Sequence, residues 1–156
     1  MDDEVLAIVR ASAMRRGLGV AMLALLGVIL IYLAMMRPPA APVWQAFLVL
    51  VGALSLWGAD LMRRATAQAV ELTRAGLRST DGEVIAPLEQ IESVDRGVFA
   101  FKPSNGFILR LKSAAPGRWR PGLWWRIGRR VGIGGVTPGA QGKAMADTLT
   151  ALLMER

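Results

Sequence analysis

The chain of 156 residues is 53% hydrophobic, carries 19 Lys and Arg against 12 Asp and Glu for a formal net charge of +7, and has neither Cys nor His. An apolar share above the ~45–50% of ordinary soluble domains points to membrane helices joined to a small domain. The missing Cys and His exclude disulfides, Cys/His zinc sites, thiol redox chemistry, His haem ligation and Ser-His or Cys-His nucleophiles.

Residues 1–16 form a short N-terminal segment that opens on Asp2, Asp3 and Glu4 and ends on Arg15 and Arg16. Gly17 to Met36 follows without a charge, and its 20 residues include ten Leu, Ile or Val. At 1.5 Å per residue this is about 30 Å, the thickness of a bilayer core. Those ten side chains favour insertion by roughly 3–6 kcal/mol. A second uncharged stretch begins near Pro42, with Gln45 and Ser55 its only clearly polar side chains. Arg37-Pro38-Pro39-Ala40-Ala41 is long enough only for a tight link, so residues 17–64 are expected as a two-helix transmembrane hairpin. The acidic start, long apolar core and second span argue against a cleaved signal peptide. Arg10, Arg15, Arg16, Arg63 and Arg64 flank the spans on one side, with Arg37 alone in the loop. The positive-inside rule therefore places both termini in the cytoplasm. Tyr32, Trp44 and Trp57 suit interfacial anchors. Asp60 has Arg63 and Arg64 three and four residues onward, so a surface ion pair accounts for it better than a buried ion site.

From Ala65 the period shortens, and residues 65–156 are expected as a cytoplasmic domain. Ala69–Thr73 alternates as a strand and continues past a turn to Arg78. Thr80-Asp81-Gly82 is a turn, and Glu83–Ala86 the returning strand. Val98–Phe101 and Phe107–Lys112 predict two more strands joined through Pro103-Ser104-Asn105-Gly106, with a further strand over Trp124–Ile133. The glycines of residues 132–142 fail the phosphate-loop pattern, because Thr137 and Ala144 stand where Gly and Ser or Thr are required. They suit a sharp turn into a final helix, which Thr137 would cap and Pro138 would start. Met145, Leu149, Leu152 and Leu153 form its apolar stripe. The fold class is thus α+β: a transmembrane helical hairpin, then antiparallel strands and a C-terminal helix.

Glu71-Leu72-Thr73-Arg74-Ala75-Gly76-Leu77-Arg78, Asp81-Gly82-Glu83-Val84-Ile85 and Pro87-Leu88-Glu89-Gln90-Ile91-Glu92-Ser93-Val94 together resemble the opening of bacterial PH-like domains. The resemblance covers residues 66–156 and extends to the preceding hairpin, since such domains commonly follow a pair of membrane helices. It implies a curved sheet closed by a helix, an inner-membrane multi-pass protein, and a binding or scaffolding module with no catalytic residues to carry over. The strand count stays open.

Charge is segregated. Between Arg96 and Ala146 lie ten basic residues and no acid. Within that stretch Arg118, Trp119, Arg120, Trp124, Trp125 and Arg126 interleave three Trp with three Arg. Beside an anionic leaflet each Lys or Arg is worth ~1 kcal/mol, and Trp favours the headgroup region. These six residues are the expected membrane or lipid contact. The competing reading is that topogenesis alone selects the charge and that Trp124 or Trp125 fills the small core. Nucleic acid is not an expected partner, since no helix-turn-helix, zinc spacing or RNP motif accompanies the basic residues. Glu89, Glu92 and Asp95 suit a solvated acidic face that pairs with the basic stretch better than a metal or catalytic pair. No GxSxG or HExxH is present. The expectation is a non-enzymatic module with no cofactor, no metal and no catalytic residue. Its partners would be the bilayer and a membrane protein, and the alternative is a sensor of anionic lipid.

Overall fold

The computed structural model describes residues 3–96 and 103–155. Two long helices, α1 (Ala13–Met36) and α2 (Pro42–Ala65), form an antiparallel hairpin. Pro42 occupies the first turn of α2, where its missing N–H would have no partner in any case. Both helices are long and apolar enough to cross a membrane, and only 11% and 17% of their most apolar windows are buried. The core helix of a soluble domain would be mostly covered, whereas Leu18, Met22, Leu25, Ile29, Phe47, Leu50 and Leu54 all face outward. Helix α1 starts four residues before the charge-free stretch and so takes Arg15 and Arg16 into its first turn.

The helices meet where they lack side chains. A Cβ on Gly27 would lie 2.8 Å from the Gly52 carbonyl oxygen, and one on Gly52 3.0 Å from that of Gly27. Small residues that let backbones approach are the usual means of joining helices in lipid. The polar side chains are satisfied within the hairpin. Gln45 donates across to the Ala34 carbonyl at 2.9 Å, and Ser55 donates back to Val51 at 2.8 Å. Asp60 carries the expected ion pairs, to Arg63 at 2.8 Å and Arg64 at 2.7 Å.

Among the described residues, seven strands and a further α-helix make up the rest. One antiparallel sheet has the order β1 (Ala7–Arg10), β2 (Ala69–Thr73), β3 (Gly76–Ser79), β4 (Val84–Pro87). A second has the order β5 (Ile91–Asp95), β6 (Phe107–Arg120), β7 (Trp124–Ile133). Helix α3 (Gly139–Met154) packs over β1 and β5. The α+β class is as expected. The turns follow their chemistry: Arg74-Ala75 closes a two-residue hairpin, and Gly82 at φ 90° completes the Asp-Gly turn. The core gathers Leu72, Leu77, Ile85, Phe107, Leu109, Trp124, Ile133, Met145 and Leu149 from both sheets and α3. The strand expected at Val98–Phe101 lies outside the described residues.

Three features depart from the expectations. β1 precedes the membrane hairpin yet pairs with β2 after it, in the register Ala7↔Leu72 to Arg10↔Ala69, and Val9 is fully buried. The N-terminal segment is therefore part of the domain, and the two helices are an insertion between neighbouring strands of one sheet. β6 runs to Arg120, well past the expected Lys112, with register shifts on either side of Ala115. Such bulges bend a strand, and the bend is sharp enough to place Trp125 over the Gly132 backbone. Finally, α3 begins at Gly139 with Pro138 as its N-cap residue, and Thr137 does not cap. Its hydroxyl is buried and has no hydrogen-bond partner.

Candidate functional site

Both ends of the helical hairpin are fastened to the domain. Immediately before α1, the Ser12 N–H donates to the Val136 carbonyl at 2.7 Å. In the first turn of α1, Arg15 donates to the Thr137 carbonyl at 3.1 Å. Arg16 reaches the other helix, donating to the Thr66 hydroxyl at 2.9 Å and the Arg63 carbonyl at 3.0 Å. A cation on the carbonyls that end a helix also suits the helix dipole. The tip of the β6–β7 hairpin completes the junction. Gly122 sits against the side chains of Thr66 and Met62, and its carbonyl accepts from the Val136 N–H at 3.0 Å. Gly134 and Gly135, at φ 136° and 142°, give the connection from β7 the geometry that brings Gly135 against the Gly122 backbone.

The six residues expected to form a membrane contact lie on this hairpin but divide into separate roles. Trp124 is 1% exposed, so it fills the core, as the competing sequence reading allows. Its indole N–H finds no partner. Trp125 is half-buried, folded over Gly132. Arg126 lies 5.9 Å above the Trp124 ring and donates to three carbonyls: Pro116 at 2.8 Å, Val84 at 3.2 Å and Ile85 at 2.7 Å. Val84 and Ile85 belong to the outer edge of β4, so one guanidinium joins the two sheets where no strand pairs. Edge carbonyls left open would be a free template for another chain.

Arg118 and Arg120 share an acid. Arg118 meets Glu83 at 3.1 Å, while Arg120 meets the same carboxylate at 2.8 Å and Asp81 at 3.4 Å. The Glu83 side chain is only 18% exposed, and the four charges sum to zero. Burial alone would raise the Asp81 pKa. Hydrogen bonds from the Glu83 backbone and the Ser79 hydroxyl, aided by Arg120, instead hold it below the ordinary carboxylate value. Farther along β7, Arg129 donates to the Leu111 carbonyl and pairs with Glu92 at 3.0 Å. Arg96 is bound to Asp147 and Thr150 on α3. Five of the ten cations in the acid-free stretch, Arg96, Arg110, Arg118, Arg120 and Arg129, thus meet four acids from elsewhere in the chain, and the pull of the stretch on a leaflet is smaller than a count of Arg and Lys suggests.

Two large apolar side chains stay open beside them. Trp119 is 61% exposed and Ile127 69% exposed on the bent hairpin. Trp119 stands opposite Trp125 in register, and alternation carries Ile127 to the same face. The sequence pattern picks out Trp119 but has no signal for its isolation, because the partners of the neighbouring arginines come from β4 and its turn. A separate cleft of about 430 Å³ on the β2–β3 side holds Arg78 between Glu71 at 3.0 Å and Asp3 at 2.7 Å. The Glu71 hydrogen bond raises the Arg78 pKa further and outweighs partial desolvation. No three His, Cys, Asp or Glu side chains converge as a metal site among the described residues. No protein-family model, no curated protein and no solved structure matches the chain.

Proposed function

We propose that this protein is a non-enzymatic membrane module whose PH-like domain, held on the cytoplasmic face of the inner membrane, scaffolds or assembles a membrane-protein partner. The observation that carries this reading is the fastening of one domain to both ends of a membrane-type hairpin. β1 enters α1 and β2 leaves α2, and both belong to one sheet. Such a build presents a surface at constant height and orientation, which suits docking to a neighbour in the same bilayer. A four-stranded and a three-stranded antiparallel sheet with a closing helix are consistent with the PH-like resemblance. The orientation rests on arginines at the domain end of the helices against Arg37 alone in the loop.

Two measurements test it. Ala41→Cys is expected to react with an impermeant thiol reagent from outside intact cells and Ser113→Cys not to react; the reverse would overturn the orientation. The full chain, purified in mild detergent, is expected to retain one membrane protein at fixed stoichiometry. Ile127→Glu, on the exposed face, should release that protein without unfolding the domain. A chain that purifies alone from cross-linked membranes would overturn the scaffold reading.

A further inference from the structure

We propose that Trp119 is an interfacial anchor that sits in the phospholipid headgroup layer at the base of α2 and holds the β6–β7 tip on the bilayer by partition of the indole, not by charge. The inference rests on the reading of α1 and α2 as membrane spans. Its height comes from the tip contact. Met62, which touches Gly122, lies five residues beyond Trp57 on α2, about 8 Å along the helix axis. Trp57 is exposed near the domain end of the span, where an aromatic belt is expected. The headgroup layer is about 5–8 Å deep on each side of a bilayer, so Gly122 stands within or at the rim of that layer. Trp119 lies at the end of β6, three residues before Gly122 in the turn, and so within about 10 Å of it.

The chemistry selects the indole over its neighbours. Trp119 is 61% exposed, whereas Trp124 is buried and Trp125 lies on Gly132. Arg118 and Arg120, the adjacent cations, are held by Glu83 and Asp81 in a neutral quartet. An apolar body with one N–H donor is the side chain that gains most at a wet, partly apolar boundary. Contact made this way does not need anionic lipid and is insensitive to salt, unlike a basic patch.

The chain has no cysteine, so one introduced thiol reports one position. A small nitroxide is attached to Gly117→Cys, with Trp119 intact, in the full chain reconstituted into phosphatidylcholine vesicles. Collision with a water-soluble nickel reagent and with oxygen is then read by electron paramagnetic resonance. This label is expected to show several-fold lower nickel access than one at Ser113→Cys, at the bulged bend of β6, and high salt should not change this. Replacing Trp119 with Ser should restore nickel access at position 117. A Leu26→Cys label in mid-α1 serves as the control. Access at 117 equal to that at 113, with position 26 deep in the bilayer, would overturn the inference and leave the spans standing. Protection that appears only with anionic lipid, or that disappears in salt, would also overturn it by assigning the contact to the arginines. A label at position 26 open to nickel would overturn the membrane reading itself.

Discussion

Two tryptophans five residues apart on one hairpin have opposite physical fates. Trp124 is enclosed by the core and lies under the Arg126 guanidinium, whereas Trp119 projects from the surface. Trp124→Ala is therefore expected to cost about 3–5 kcal/mol. Trp119→Ala should stay within about 0.5 kcal/mol, and thermal or denaturant unfolding of the detergent-solubilised chain distinguishes them. Arg126 offers a second test. Its three carbonyl bonds are charge-assisted but half-exposed, so Arg126→Ala should cost about 1–2 kcal/mol. Arg130→Ala, an exposed residue of the same strand, should be near neutral. Equal effects would mean that the β4 edge is not closed by Arg126. Amide exchange at Val84 and Ile85 should accelerate in the Arg126 variant alone.

At the level of elements, the helical hairpin is held by shape more than by polarity. Gly27 and Gly52 face each other across the crossing, whereas Gly58 has open space around the position of a Cβ. Gly27→Leu should drive the helices apart and destabilise the hairpin by about 1–3 kcal/mol. Gly58→Leu should be tolerated on the lipid-facing side. Unfolding of the reconstituted chain checks both, and a tolerated Gly27→Leu would mean that the helices do not cross there. The bend of β6–β7 is the domain's counterpart to this crossing. Bulges about Ala115 return the strand end to the helix bases, so that Gly122 meets Met62 and Thr66. A straight hairpin of the same length would carry its tip away from the helix bases.

For the molecule as a whole, the insertion of two membrane-type helices between β1 and β2 makes the domain depend on a segment far away in sequence. A 66–156 fragment lacks β1, whose Val9 is fully buried, and should not fold stably. Replacing residues 17–62 with a short Gly/Ser linker, while keeping 3–16 and 63–156, should recover a folded domain. The hydrogen bond from Arg16 to Thr66 shows that the two ends stand side by side. Circular dichroism and amide exchange on the two chains decide the matter. A fragment that folds without residues 3–16 would show β1 to be dispensable.

Local chemistry was enough to read the apolar spans, the Asp-Gly and Asn-Gly turns, the strands β2, β3, β4 and β7, the stripe of Met145 and Leu149 on α3, and the Asp60 ion pairs. Each of these depends on residues within a turn or a few positions of one another, where hydropathy, period and spacing act directly. Ala7–Arg10 carries no such mark, since four residues flanked by charge become a strand only when β2 offers an edge and α3 a cover. The division of Arg118, Trp119, Arg120, Trp124, Trp125 and Arg126 into core, stitch, ion pair and exposed indole was equally hidden. It depends on Asp81, Glu83 and the β4 carbonyls, some 30 to 40 residues away in the chain. Sequence alone determined that this protein has two membrane-type helices and an α+β domain, because hydrophobic length and periodicity are local properties. Tertiary structure alone decided which of its charges remain available, because neutralisation is a matter of distance in space.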